Sequence, residues 1–289
     1  MGFEGGRQAR DPLVSGRLYA VATPIGNLDD ISPRARRVLE TVAVVACEDT
    51  RRTGKLFELL GLKRPELVRL DAHTEYSRSG TIVDRIVGGI DCAVVSDAGT
   101  PVVSDPGADL VRRAIDAGIE VVAVPGPSSV LAALVVSGLA ADGFTFAGFL
   151  PRKGRARDER MAVLCRRPEP TVLFESPKRV AATLKDLAVA FGPDRQFAMC
   201  RELTKMHETV VRGRLGQASE LVSGEVKGEV VVVLAGAAQV SDVGDDDIVD
   251  ALGRRRDLGL DRRSAVAVVT HDLAIGRKRV YDLALELDW

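Results

Sequence analysis

Four short stretches of this chain place carboxylates, hydroxyls, glycine and proline directly after apolar runs. They are Thr23-Pro24-Ile25-Gly26-Asn27-Leu28, Glu48-Asp49-Thr50-Arg51-Arg52, Ser96-Asp97-Ala98-Gly99-Thr100-Pro101-Val102 running on to Asp105-Pro106-Gly107, and Pro125-Gly126-Pro127-Ser128-Ser129. A strand that stops at such a loop exposes backbone N–H groups, and in α/β sheets ligands sit outside the carboxyl ends of the strands. Asp97 offers a carboxylate at a strand end, Gly99 permits close approach, and Pro101 and Pro106 stiffen the path between turns. That chemistry suits a polar, partly cationic small molecule. Ordinary βα turns use the same residue types. Asp49 or Thr50 can simply cap a helix, and Asp105-Pro106 reads as a helix N-cap followed by an N1 proline.

The elements that must carry these loops alternate. Apolar runs at Arg17–Ala22, Val42–Cys47, Leu67–Leu70, Ile90–Val95 and Glu120–Val124 read as strands, with amphipathic helical patterns between them. Continuous rather than alternating hydrophobicity marks strands buried on both faces of a parallel sheet. A second series follows: Thr171–Phe174, Gln196–Cys200 and Glu229–Ala235, with Ser176-Pro177 expected to start a helix running to about Ala190. Several connections there are too short for helical crossovers, which predicts some antiparallel pairing. The expected organisation is a flexible tail over 1–16, α/β domains over 17–125 and 126–240, and a basic helical extension over 241–289 that opens with an acidic linker.

Composition bounds the function. With 289 residues, 46% hydrophobic and only 4% aromatic, the chain can bury a sizeable core of Val, Ala and Leu without staples. No apolar run approaches the roughly 18 residues of a spanning helix, and the charged, glycine-rich start is unlike a signal peptide, so a cytoplasmic protein without a membrane is expected. Lys and Arg total 40 against 41 Asp and Glu, so any affinity for nucleic acid must come from local charge. Arg152 to Arg167, beginning Arg152-Lys153-Gly154-Arg155-Ala156-Arg157, is such a segment and reads as a phosphate track or a solvated helix face. Cys47, Cys92, Cys165 and Cys200, like His73, His207 and His271, lack metal or disulfide spacing. No metal is expected.

GxxxxGK[ST], GxGxxG after a strand, HExxH and GxSxG are all absent. What is present, in order, is LYAVATPIGNLDDISPRARRVLE (18–40), ACEDTRRT (46–53), VSDAGTPVVSDPG (95–107), VPGPSS (124–129), GFLPRKGRAR (148–157), FESPKR (174–179), RELTKMHE (201–208) and GEVVVVLAG (228–236). This series resembles the 16S rRNA (cytidine-2'-O)-methyltransferase family of the tetrapyrrole methylase superfamily.

The resemblance implies two α/β domains of the tetrapyrrole methylase type, with S-adenosylmethionine in the cleft between them, plus a small C-terminal helical segment. It further implies a homodimer that moves a methyl group to the ribose 2'-hydroxyl of a cytidine in the decoding region of 16S rRNA, in the small ribosomal subunit. Carried over by motif, the cofactor residues are Pro24, Asp97, Gly99, Thr100, Pro101, Val102, Ser128, Ser129, Phe174 and Ala235. Acceptor-side candidates are Glu48, Asp49, Arg51, His73, Glu175, Glu202, Lys205 and His207, with Arg179 and Lys205 joining Arg51 in recognition, and Glu48 or Glu202 polarising the hydroxyl. Where the family shows a Tyr-His-Glu-His-Asn-like run, Leu70-Asp71-Ala72-His73-Thr74 keeps only His73. Two other readings are a methylase of small molecules such as tetrapyrroles and a non-catalytic ribosome-associated binding protein.

Overall fold

The computed structural model describes residues 15–237, 244–273, 275–287 and 289. Most of the expected tail, the start of the acidic linker and the His271 side chain lie outside that set. Among the described residues no helix is long and apolar enough to cross a membrane.

The first half is a parallel sheet. Strands β1 (Leu18–Val21), β2 (Val44–Cys47), β3 (Glu66–Arg69), β4 (Cys92–Val95) and β5 (Val121–Val124) lie in the order β3-β2-β4-β1-β5. All four residues of β2 and of β4 are buried, because helices cover both faces. One core joins Leu18, Val44, Val94, Ile82 and Leu110, and the other joins Val21, Val45, Val95, Leu39 and Phe57. Helix α1 (Pro33–Thr41) starts as the sequence predicts, with Ser32 Oγ accepting from Ala35 N and Pro33 at N1. Helix α2 (Thr50–Leu59) is capped by Asp49, whose carboxylate accepts from Arg51 N.

Helix α3 (Glu75–Val87) precedes β4, and α4 (Ala108–Asp116) follows it. Here one expectation fails: Asp105-Pro106 does not cap α4, whose N-cap is Gly107 at φ 124°. Glu75 Oε1 takes over from a distance, accepting from Gly107 N at 2.9 Å and Asp109 N at 2.8 Å. The proline pair is thereby released into the loop above the strand ends.

Helix α5 (Ser129–Ser137), capped by Ser128, leads into the second sheet. Its strands β6 (Thr145–Phe149), β7 (Thr171–Glu175), β8 (Gln196–Arg201), β9 (Thr209–Arg214) and β10 (Val230–Leu234) lie in the order β6-β7-β10-β8-β9. Only β6 and β7 run parallel, joined through α6 (Arg155–Leu164); the other three pairings are antiparallel. The Ser176-Pro177 expectation also fails, because helix α7 (Val180–Phe191) begins three residues later with Arg179 at its N-cap. Helices α6, α7 and α8 (Ala218–Leu221) pack on one face of this sheet, and α5 packs on the other. Three further helices, α9 (Asp245–Asp257), α10 (Arg262–Asp272) and α11 (Arg277–Leu285), enclose a separate small core around Leu252, Val266 and Val280.

The basic segment is partly misread from sequence. Arg157 turns inward, its side chain only 6% exposed, and binds Asp186 at 2.8 Å, Thr183 at 3.2 Å and the Pro151 carbonyl at 3.0 Å. It anchors the segment, and the surface charge is left to its neighbours.

Candidate active cleft

The loops leaving β1, β4 and β5 are stitched together where the sheet order reverses. Thr23 and Gly99 exchange backbone hydrogen bonds at 2.9 and 3.0 Å. Thr100 Oγ1 donates to the Pro127 carbonyl at 3.2 Å, and Thr23 Oγ1 to the Ser96 carbonyl at 3.3 Å. Gly99 is needed here: its φ is +83°, and a Cβ would lie 3.3 Å from Ile25 Cγ2. Val102 and Ser104 also hold positive φ, as do Glu202 and Thr204 in the turn after β8. These are the non-glycine residues in that region among those described, and such strain persists only where surrounding structure over-determines it.

Between the two sheets lies an open cleft of about 420 Å³. Ile25, Glu48, Arg52, Asp97 and Asp105 contribute from the first sheet's loops, with Ser128, Ser129 and Val130 from the start of α5. The opposite wall is Phe149, Phe174 and Glu175, with Gly228 to Val231 at the start of β10. Phe174 stands edge-on to Phe146, with centroids 5.0 Å apart, and leans on Phe149 at 5.6 Å, so a rigid aromatic edge faces the carboxylates.

Five carboxylates line this cleft against one guanidinium. Two have cationic partners elsewhere: Glu175 binds Arg179 at 3.2 Å and Glu229 binds Lys205 at 3.1 Å. Among the described residues Arg52 answers the charge of Glu48 and Asp97, its Nη1 lying 3.3 Å from Asp97 Oδ2, while Asp105 takes a hydrogen bond from Ser96. Burial, reinforced by neighbouring acids, raises the Glu48 carboxyl above its ordinary range, with Arg52 opposing. Burial likewise raises Asp97 and Asp105, against the pull of Arg52 on the first and a Ser96 hydrogen bond on the second. A cleft this negative and this aromatic is complementary to a flat ligand carrying positive charge.

Asp49, Thr50, Arg51, Arg69 and Asp71 line a second hollow, of about 550 Å³, together with Glu48, Arg52 and Asp97. The last three belong to both spaces, so two chambers meet at the ends of β2 and β4.

A clasp closes the side of the cleft. Asn27 N donates to Thr204 Oγ1 at 3.1 Å, and the Lys205 stem crosses over Gly26, where any Cβ would collide with Lys205 Cγ. Lys205 Nζ then reaches Glu202 at 2.8 Å and Glu229 at 3.1 Å. Burial alone would lower the Lys205 ammonium, but hydrogen bonds to Glu202 and Glu229 outweigh that and hold it above the usual lysine range. The same bond from Lys205, helped by Glu229 N–H, lowers Glu202.

The residues expected from sequence therefore separate into groups. Asp97, Gly99, Thr100, Ser128, Ser129, Phe174 and Glu48 line the cleft. Pro24, Pro101 and Val102 belong to the same loops without lining the cleft, and Arg51 stands in the second chamber. Glu202 and Lys205 form the clasp, and the exposed His207 uses its backbone carbonyl to accept from Arg201 and Thr209. Ala235 is not brought to the cleft. Because β10 runs antiparallel to β7 and β8, its start meets the cleft and its end lies beside Gln196 and Arg195. His73 caps no strand end; its N–H donates to Asp71 Oδ1.

Sequence reading missed Arg52, Asp105, Phe149 and Glu229 as lining residues. Arg52 and Phe149 sit within motifs already marked. Asp105 looked like a helix cap, and Glu229 looked like the first residue of a buried strand.

Comparison with known proteins gives a consistent picture. The family model for tetrapyrrole (corrin/porphyrin) methylases matches residues 17–219. A ribosomal RNA small subunit methyltransferase I of Mycobacterium tuberculosis (strain CDC 1551 / Oshkosh) is 50% identical over 227 residues, 78% of this chain and 80% of the relative. One of Synechocystis sp. (strain PCC 6803) is 40% identical over 276 residues, 94% of this chain and 99% of the relative. Among solved structures, the methyltransferase CobJ aligns with TM-score 0.61 at 20% identity, over 78% of this chain and 95% of that one. Uroporphyrin-III C-methyltransferase of Thermus thermophilus, in complex with S-adenosylhomocysteine, aligns with TM-score 0.57 at 22% identity, over 76% and 97%.

Proposed function

The chain belongs to the tetrapyrrole methylase family, in its ribosomal RNA small subunit methyltransferase I branch, and on that footing we propose that it uses S-adenosylmethionine to methylate the 2'-hydroxyl of a cytidine in the decoding region of 16S rRNA. The observation that carries the proposal is the meeting of two chambers at Glu48, Arg52 and Asp97. One chamber suits the cofactor and the other an acceptor, with a half-buried carboxyl at their seam.

The cleft fits the cofactor on its own chemistry. S-adenosylmethionine supplies a methyl group already activated by a sulfonium, and its sulfonium and ammonium would bring positive charge to a cleft where five carboxylates face one guanidinium. Asp97 and Gly99 to Thr100 would hold the polar end, Ser128 and Ser129 offer hydroxyls and the α5 N-terminus to a carboxylate, and Ile25, Val130 and Phe174 offer apolar surface to a flat base.

The remaining work falls to the chain's own groups. A ribose hydroxyl is a poor nucleophile until its proton is drawn away, and a positioned base contributes roughly 10²–10⁴ in rate. Glu48 is the acid for that role: it lines both chambers, and its raised pKa makes it a stronger base than an ordinary carboxylate. Glu202 is committed to Lys205 and to Glu229 N. Alignment of hydroxyl and methyl group supplies much of the rest. Homodimerisation, implied by family resemblance, belongs to the same proposal.

The test is transfer of labelled methyl groups to small ribosomal subunits lacking the modification, followed by nucleoside mass spectrometry. One 2'-O-methylcytidine supports the reading. Cofactor binding without transfer to RNA, but with transfer to a tetrapyrrole, replaces it with the small-molecule alternative. Absence of cofactor binding by calorimetry leaves a ribosome-associated binding protein.

A further inference from the structure

We propose that the second chamber is the acceptor-nucleotide subsite, in which Arg51 and Arg69 hold the two phosphates flanking the ribose presented to Glu48. The inference rests on the RNA reading above and adds to it the place and residues of acceptor binding.

Three arginines surround the chamber, and they come from different places in the chain. Arg69 ends β3, while Arg51 and Arg52 lie in the first turn of α2. Each is held from one side by a carboxylate. Arg51 binds Asp49 through Nε at 3.2 Å and Nη2 at 3.0 Å. Arg52 binds Asp97 at 3.3 Å, and Arg69 Nε binds Asp71 at 2.6 Å. Asp71 is itself fixed, its Oδ1 accepting from Thr74 Oγ1 and from the N–H groups of His73 and Thr74.

An exposed ion pair of this kind contributes little to stability, so stability alone is a weak reason for three of them around one hollow. A guanidinium carries five donors, and these pairs use one or two of each. The side chains of Arg51, Arg52 and Arg69 remain 90%, 66% and 62% exposed. The chamber therefore presents oriented, solvent-facing guanidinium groups with donors to spare, which is the arrangement that phosphate oxygens select.

Position narrows the ligand further. The chamber opens directly onto Glu48 and Asp97, so whatever it holds is adjacent to the cofactor space. At about 550 Å³, and lined by three guanidinium groups, Thr50 and four carboxylates, three of which are the arginines' own partners, it suits one extruded nucleotide with its phosphates better than an apolar molecule. Arg52 is tied to Asp97 of the cofactor wall, which leaves Arg51 and Arg69 for the acceptor.

The experiment uses the full chain with small ribosomal subunits as substrate, comparing Arg69→Ala, Arg51→Ala and Arg69→Lys with the unaltered protein. Thermal melting and cofactor calorimetry accompany each variant. The alanine variants are expected to bind cofactor normally and to raise the KM for subunits roughly 10-fold. They should also flatten the plot of log kcat/KM against log salt by about 0.7 for each phosphate that is no longer neutralised. Arg69→Lys should restore the salt slope while recovering only part of the KM. Unchanged KM and slope in both alanine variants, with a methylating parent, overturn the subsite and leave the RNA reading standing. A parent that transfers no methyl group to RNA overturns both.

Discussion

The backbone N–H of Asp49 donates to Asp97 Oδ1 at 3.2 Å, tying the end of β2 to the end of β4. Arg52 occupies the other Asp97 oxygen. Asp97 is thus fixed from two sides, one neutral and one cationic, while its carboxylate still lines the cleft. Asp97→Asn keeps the shape and the acceptor for Asp49 N–H but removes the charge that answers a cationic cofactor. Calorimetry with S-adenosylmethionine should show affinity falling roughly 10- to 100-fold, about 1.4 kcal/mol per factor of ten. An unchanged Kd would remove Asp97 from cofactor binding.

Glu48 and Glu202 make opposite predictions. Glu48 is raised by burial and Glu202 is lowered by Lys205. Glu48→Gln should reduce kcat by roughly 10²–10⁴ with cofactor affinity largely kept. Glu202→Gln should act mainly through the clasp, changing KM and thermal stability more than kcat. The kcat of the parent should climb with pH and level off above the ordinary carboxylate range, since the base works only when deprotonated. Retention of more than a tenth of kcat in Glu48→Gln would assign the proton to another group.

The same crowding of acids has a cost in stability that depends on pH. A carboxyl whose folded pKa lies above its unfolded value holds its proton more tightly in the native state. The associated stability is present below the unfolded pKa and is lost as pH rises through the folded one. Asp105 is such a group, raised by burial. Asp105→Asn should therefore increase Tm at pH 7, by roughly 2–4 °C for each kcal/mol recovered. The gain should vanish once pH falls below the ordinary carboxylate range. Calorimetric melts at pH 7 and pH 3.5 decide it, and a lower Tm at pH 7 would mean that the charged form is better solvated than its burial suggests.

Arg157 offers a contrast between a buried and a surface charge in one segment. Removing its guanidinium strips partners from Thr183, the Pro151 carbonyl and Asp186. Asp186 is half exposed and can be hydrated, so Arg157→Ala should cost about 1–3 kcal/mol, below the full penalty of an orphaned buried ion. Exposed Arg152 should tolerate alanine with an unchanged melt and a reduced salt dependence of RNA transfer. Chemical denaturation separates the two, and equal stability losses would contradict the inward placement of Arg157.

Why these positions were or were not legible in the sequence has a physical explanation. Asp97, Gly99 and Ser128 could be found because a strand end followed by glycine, proline and hydroxyls is a local pattern, and a parallel sheet brings such ends to one edge. Arg69 and Ala235 needed strand order and direction. Arg69 matters because β3 lies beside β2, and Ala235 is misplaced because β10 runs antiparallel to its neighbours. Asp105-Pro106 and Ser176-Pro177 carry good capping signals that lost to competing bonds, one long-range and one to the neighbouring residue. Glu75 capped α4 from another helix, while Ser176 N is held by Glu175 Oε1 at 2.7 Å. Local chemistry identified the loops, and long-range pairing decided which residues in them face the cleft.

Gly26 and Lys205 are separated by most of the chain yet touch across the clasp, and their coupling can be measured. A methyl at position 26 would strike Lys205 Cγ and come within 2.9 Å of Thr204 Oγ1. Both atoms belong to a turn whose Glu202 and Thr204 already hold positive φ, so it has little freedom to yield. Gly26→Ala should cost about 1–3 kcal/mol by overpacking. It should also raise the cofactor KM, since Ile25 beside it lines the cleft and Glu229 on the far wall is held by the same lysine. Lys205→Ala alone loses the bridge between Glu202 and Glu229, and it opens the space the methyl needs. The two substitutions together should therefore cost less than their sum, by at least about 0.5 kcal/mol in a denaturation cycle. Strict additivity would mean that the loop after β1 and the turn after β8 move independently, and the clasp would no longer explain how the two sheets hold one cleft.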